Sequence, residues 1–271
     1  MEVITGKLLL IFLFIFIIHS IETLAYAVRL SGARVKMIAS ALALFNVMVI
    51  VSRLANMMQQ PFTGSLIDTA PPEHALQVVE EQYRILIGAS TAGTIAGIIV
   101  FPTFIALFSR AIIHLANEKG SIPALIQKGL SIEFFMRGWK HIRLPKRTDI
   151  KGLRISDIPV KLFLINTIIT AIYTIGVLAA LYASLLVPER AATAVMASGL
   201  INGIATILLV VFVDPKVSVL ADDVVNNRGS YRTLKGVSLM MVSSRLLGTL
   251  LAQALFIPGA KYVAWFTKFI V

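Results

Sequence analysis

No cysteine occurs in this chain, which removes disulfides, thiolate catalysis and cysteine-ligated metals from consideration. Charge is also scarce, at 14% of the 271 residues, and acids are in short supply: 14 Asp and Glu stand against 25 Lys and Arg. Signatures of enzymatic chemistry are missing too. There is no HExxH, no glycine-rich phosphate loop and no GxSxG, and His19, His74, His114 and His141 sit on separate segments without ligand spacing. The acids of DVVNN and SLIDTAPPEH, near the expected membrane faces, read as solvated loop groups rather than as a metal site. No enzyme, metal or cofactor is therefore expected.

What is present in excess is apolar surface: 57% of the residues are hydrophobic, and the mean hydropathy is +0.85. A soluble globule of this length does not need so much, so the expectation is a membrane protein. Crossing the ~30 Å hydrocarbon core takes about 20 helical residues. Three charge-free windows meet that length, Ile85 to Ser109, Leu162 to Pro188 and Ala191 to Val213. Three further spans carry charge, roughly Ile4 to Leu30, Val35 to Met57 and Tyr231 to Ile257. Continuous apolar runs without alternation exclude a membrane β-barrel. The first run meets Glu22 instead of a small-residue cleavage site, so it reads as a retained helix.

The net charge of +11 does not point to nucleic acid, because its distribution follows topology. From Arg110 to Lys161 there are eleven Lys and Arg against four acids, whereas Met58 to Tyr83 holds four acids and no Lys or Arg. The positive-inside rule makes the central segment cytoplasmic and both termini external. The stretch from Asp214 to Lys235 is read as a loop of mixed sign.

The chain also matches itself. FIIHSIETLAY (Phe16 to Tyr26) aligns without gaps on FLINTIITAIY (Phe163 to Tyr173), pairing His19 with Asn166 and Tyr26 with Tyr173. Asn46 then matches Asn202, each with an arginine twelve residues upstream, and Pro61 with Asp68 matches Pro215 with Asp222. YRILIGAS (Tyr83 to Ser90) matches YRTLKGVS (Tyr231 to Ser238) at five of eight positions. The order is preserved, and the matching residues are Tyr, Arg, Pro, Asp and Asn, which are not filler in a membrane span. A three-helix unit repeated once inserts its second copy the opposite way round. The expected fold is all-α and polytopic, with six transmembrane helices as two inverted three-helix repeats. Residues 1–110 form the first repeat and residues 159–271 the second. Residues 111–158 between them form a basic, amphipathic cytoplasmic connector, suited to the anionic lipids of the inner leaflet.

Within the spans the ionisable groups make stripes. His19, Glu22, Tyr26 and Arg29 fall within about 80° of arc on one helix face, and so do Asn46, Arg53, Asn56 and Gln60. Ser238, Arg245, Thr249 and Gln253 form a looser polar face. A lone arginine at the bilayer centre costs from ~3 to over 10 kcal/mol, so the stripes should meet one another or a wet cavity. Arg29 is expected near the inner interface, where its stem can snorkel. Glu22 is a candidate to neutralise Arg53 or Arg245, and Gly93 to Gly97 and Gly199 to Gly203 are expected to allow close helix packing.

HSIETLAYAVRLSGAR followed by LFNVMVIVSRLANMMQQPFTGSLID resembles the opening of the Amj proteins, alternate lipid II flippases of bacterial cell-wall synthesis. The resemblance is densest from His19 to Asp68. It implies a plasma-membrane protein that moves undecaprenyl-pyrophosphate-linked disaccharide pentapeptide from the inner to the outer leaflet. Combined with the stripes, it suggests that Arg53 and Arg245, with Arg29, receive the pyrophosphate, because an arginine fork matches phosphate oxygens. Asn46, Asn56, Gln60 and Asn202 would bond the sugars and peptide, while Glu22 and His19 would balance charge or couple to protons. A homodimer would thicken the wall around so large a headgroup. A proton-coupled carrier of a small anion, a lipid-phosphate enzyme and a non-transporting envelope scaffold are the alternatives.

Overall fold

A computed structural model describes residues 4–118 and 160–270, together with Leu144 between them. The described residues are helical and supply six segments long and apolar enough to cross a membrane. They are α1 (Gly6–Val35), α2 (Ile38–Asp68), α3 (Ala75–Asn117), α4 (Val160–Leu186), a fifth span in two parts, α5 (Ala191–Leu208) and α6 (Asp214–Val225), and finally α7 (Tyr231–Phe266). The central connector lies outside the described residues from 119 to 159, Leu144 excepted.

Local chemistry sets the ends. The Thr5 hydroxyl accepts the Leu8 N–H at 3.2 Å, which caps α1. Lys36 turns the chain in the left-handed region, at φ 59, and Gly32 lies so close to Ala41 that a side chain there would collide, so α2 folds back at once. Ser230 caps α7 by accepting the Arg232 N–H at 3.1 Å.

Two of the expected loops are mostly helix. α2 continues to Asp68, with Pro61 inside it. The acids Glu80 and Glu81 belong to α3. The segment from Asp214 is helical to Val225, and only residues 226–230 form the turn before α7. A helix protruding past the hydrocarbon edge can carry acids on a wetted turn, so charge alone does not mark where it ends. Between α5 and α6, Leu209–Val213 winds as a π-helix, a local irregularity common at functional sites.

The helices pair along their lengths. The Ser20 hydroxyl donates to the Gly93 carbonyl and that of Ser31 to the Ile105 carbonyl, each at 2.9 Å, so α1 and α3 run side by side in the same direction. α4 and α7 do likewise, with Thr170 against Gly248 and Ile175 against Gly259. The contact repeats in detail: Gly97 sits on Thr23 and the Ser20 carbonyl, and Gly248 on Thr170 and the Thr167 carbonyl. Ser20 and Thr23 are the residues that the sequence match pairs with Thr167 and Thr170.

The first pair of helices runs opposite to the second. One core cluster joins Leu8, Ile11 and Ile15 to Tyr182 and Phe256. Another joins Leu24, Ala27 and Leu30 to Leu162, Leu234 and Val237. The start of α1 therefore meets the ends of α4 and α7, and its end meets their starts. α2 lies outside α1 and α3, and α5 outside α4 and α7, each with much of its apolar surface exposed.

The two GxxxG pairs diverge. Gly93 and Gly97 press against α1 as expected, but among the described residues nothing lies within 4 Å of a side chain built at Gly199 or Gly203, so that pair packs against no described element. Accordingly, Gly93→Leu, which forces a side chain onto the Phe16 backbone, is expected to destabilise the protein by about 1–3 kcal/mol through overpacking. Gly199→Leu should leave the midpoint unchanged, both being measured by thermal unfolding in detergent.

Candidate functional site: a charged cavity at mid-span

Charged and polar residues converge at the middle of the helices. Glu22 lies one or two residues past the centre of the 30-residue α1, Arg53 at the centre of the 31-residue α2 and Tyr173 at the centre of the 27-residue α4. Arg245 lies about one turn before the centre of the 36-residue α7. All four line a cavity of about 620 Å³, its mouth included, that also reaches Tyr26 and Asp214.

Each arginine of the site is held differently. Arg245 Nη2 donates to Glu22 Oε2 at 2.5 Å, with 7% and 13% of the two side chains exposed. The second Glu22 oxygen accepts the Ser52 hydroxyl at 2.8 Å. One carboxylate thus ties α7 and α2 to α1. Of the two partners proposed for Glu22, the direct one is Arg245.

Arg29 does not snorkel. It is buried, donates to Asp214 Oδ1 at 2.8 Å and to the Asp214 carbonyl at 3.3 Å, and lies 4.2 Å above the Phe45 ring. The π-helical turn and Pro215 bring Asp214 from the fifth span against α1, and a carboxylate 185 residues away in sequence supplies what the interface was expected to supply.

Arg53 has a softer setting. It donates to the Thr206 hydroxyl of α5, and its guanidinium stands 4.9 Å from the centre of the Tyr173 ring. Among the described residues no carboxylate pairs with it. Its positive charge therefore faces the cavity without a bonded counter-ion.

The remaining candidates separate into two groups. His19 is buried, with Nδ1 unbonded among the described residues, and it lines a second cavity of about 390 Å³, its mouth included, together with Asn56 and Gln59. Asn202 is half-buried against Gly176 with Oδ1 unbonded, and its backbone carbonyl accepts the Thr206 hydroxyl at 2.6 Å. Asn46 is exposed and Gln60 half-buried, and neither lines either cavity.

Sequence reasoning passed over Ser52, Thr206, Asp214 and Tyr173 as site residues. Only Tyr173 had a usable signal, its match to Tyr26 of the first stripe. At the far end of the fifth span Asp223, the acid of DVVNN, and its neighbour Asp222 are met by the exposed Arg228 at 3.1 Å each.

The profile of the Amj family, described as Alternate to MurJ, matches residues 14–267. The chain belongs to the Amj family. A relative in Bacillus subtilis (strain 168), named Lipid II flippase Amj, is 63% identical over 268 residues, covering 99% of both chains. No solved structure matches the chain. In this Amj protein, then, the mid-span cluster holds Arg245 neutralised by Glu22 and Arg53 by no carboxylate among the described residues, while Arg29, two turns beyond Glu22 on α1, is neutralised by Asp214.

Removing one partner of a buried pair leaves the other charge stranded, at a cost of about 3–5 kcal/mol. Glu22→Leu and Arg245→Leu should each destabilise the protein by that order. The double variant Glu22→Leu/Arg245→Leu should regain most of the loss. Thermal unfolding of the three detergent-purified variants measures the coupling, and strictly additive losses would show that the pair is not a unit.

Proposed function

We propose that this chain is a lipid II flippase: it carries the undecaprenyl-pyrophosphate-linked disaccharide pentapeptide from the inner to the outer leaflet of the bacterial plasma membrane. The observation that carries this reading is Arg53, a cation at the middle of a span that faces a cavity without a paired carboxylate. Such a group attracts an anion, and a planar guanidinium suits the oxygens of a diphosphate. The name of the 63% identical relative supplies the cargo.

Two groups complete the anion site. Arg245 exchanges part of its bond with Glu22 for the arriving phosphate, and Arg29 does the same with Asp214 at the neighbouring edge. Each acid then neutralises its arginine when cargo is absent, so an empty cavity is not left strongly charged. The polyprenyl tail stays in lipid. A flippase makes and breaks no covalent bond, in keeping with a sequence that lacks catalytic motifs.

In this reading residues 1–110 and 159–271 are inverted repeats that rock against each other to expose the cavity alternately, with both termini outside. Support comes from the recurring Gly–Thr contacts and the opposed course of the two helix pairs. The basic stretch between Arg110 and Lys161 meets the anionic lipids of the inner leaflet. A homodimer is the assembly we assign, since six spans make a thin wall around this headgroup.

In proteoliposomes that report transbilayer movement of fluorescent lipid II, Arg53→Gln should slow movement by about tenfold or more, the loss expected for charge-assisted bonds. The variant must still insert. Wild-type rates in both Arg53→Ala and Arg245→Ala would remove the arginines from the mechanism. A protein that fails to rescue growth of cells depleted of their main lipid II flippase would contradict the assignment as a whole.

A further inference from the structure

The second cavity differs in kind from the first. Both touch Tyr173, and they lie along the bundle axis on either side of it. Moving from one to the other means going from Glu22 back to His19 on α1 and from Arg53 on to Asn56 and Gln59 on α2. That is a shift of one to two helical turns, roughly 5–9 Å.

The first cavity holds Glu22, Arg53, Asp214 and Arg245, whereas no Asp, Glu, Lys or Arg among the described residues lines the second. Its lining is nonetheless polar and deeply buried. His19 is 4% exposed and its Nδ1 has no hydrogen-bond partner among the described residues. Gln59, 3% exposed, donates to Asn56 Oδ1 at 3.2 Å and accepts the Thr63 hydroxyl at 2.5 Å. This chain of bonds holds the Asn56 amide in place while leaving its own N–H groups for a ligand. Ser90 donates to the Ile87 carbonyl at 2.6 Å, which leaves its oxygen lone pairs as acceptors.

A buried polar atom without a partner is a lasting cost unless something fills the space beside it. Phosphate is a poor occupant, because no Lys or Arg among the described residues lines the cavity. A hydrocarbon tail is worse, because it would leave His19 and Asn56 unbonded. The fitting occupant is neutral and rich in hydroxyl and amide groups. The cavity measures about 390 Å³ with its open mouth included, and it adjoins the charged cavity at Tyr173.

We propose that this second cavity is a glycosyl subsite, which takes the N-acetylated sugar joined directly to the diphosphate while the diphosphate lies at Arg53. The proposal rests on the flippase reading. It makes His19, Asn56 and Gln59 specificity-determining residues, and it places the sugar contact at Gln59 rather than at its neighbour Gln60. The axial offset between Arg53 and Gln59 matches the reach of a sugar linked to a diphosphate without a spacer.

The test uses the full chain in nanodiscs and two probes, lipid II and undecaprenyl pyrophosphate, which has the same tail and diphosphate but no sugar. The wild type should bind lipid II more tightly than the sugar-free lipid. Asn56→Leu should weaken lipid II binding by about tenfold, as expected for the loss of one or two hydrogen bonds, and leave binding of undecaprenyl pyrophosphate as it was. His19→Phe, which keeps the ring volume, should do the same, so that a folding defect in one variant does not decide the outcome. Arg53→Gln should weaken both probes. Loss of affinity for both lipids in Asn56→Leu and His19→Phe, or full lipid II affinity in both, overturns the subsite. A wild type that binds neither lipid overturns the flippase reading, and the subsite falls with it.

Discussion

The bond between Glu22 and Arg245 is the constraint around which the structure is arranged. Both groups stand near the middle of apolar spans, where neither is tolerable alone. Pairing them requires α1 and α7 to approach at that level, from opposite halves of the chain. The Ser52 hydroxyl on the second carboxylate oxygen adds α2 to the same junction. Around it the aliphatic clusters close the bundle at either end. A charged hollow thus survives between two aliphatic clusters.

The three arginines show graded neutralisation. Arg245 is matched at short distance by a carboxylate and Arg29 by another at 2.8 Å, while Arg53 has a hydroxyl and an aromatic face. A site that neutralised all three would have nothing left to offer an anion, and one that neutralised none would be intolerable when empty. The intermediate arrangement suits a carrier, which must bind a charged head and also release it. Position matters as much as charge. Arg53 sits on α2, a peripheral helix with much of its surface exposed, so its partners across the cavity are easier to separate than those within α1 and α7.

Much of this was legible in the sequence because hydrophobic patterning is local. Six spans, the polar stripes and the close packing at Gly93 all follow from spacings within single helices. The partners did not follow. Asp214 reads as a loop acid at the end of an apolar run, and only the π-helical turn carries it against Arg29. Thr206 and Ser52 are ordinary residues of apolar helices until the fold sets a charge beside each. Asn46 illustrates the converse, since it shares a helical face with Arg53 but lies seven residues along it and is exposed. Periodicity fixes direction around a helix, whereas the depth of a cavity depends on neighbours that periodicity does not see. Helix ends were misread for a related reason, because long helices continue beyond the hydrocarbon with their acids in water.

The sequence match also links two contacts that differ in the structure. It pairs Tyr26 with Tyr173 and Asn166 with His19. The Tyr26 hydroxyl lies 3.5 Å from Asn166 Oδ1, and the Asn166 amide donates to Ser244 at 2.7 Å, which seals that level of the bundle. The corresponding pair, Tyr173 and His19, is not bonded, and both residues border the second cavity instead. Two equivalent positions are thus joined in one place and parted in the other. In the alternating-access mechanism we propose, such an asymmetry is expected: a conformation identical at both ends would be open to both leaflets or to neither. The replacement of Asn166 by histidine at the parted position makes the two ends chemically unequal as well.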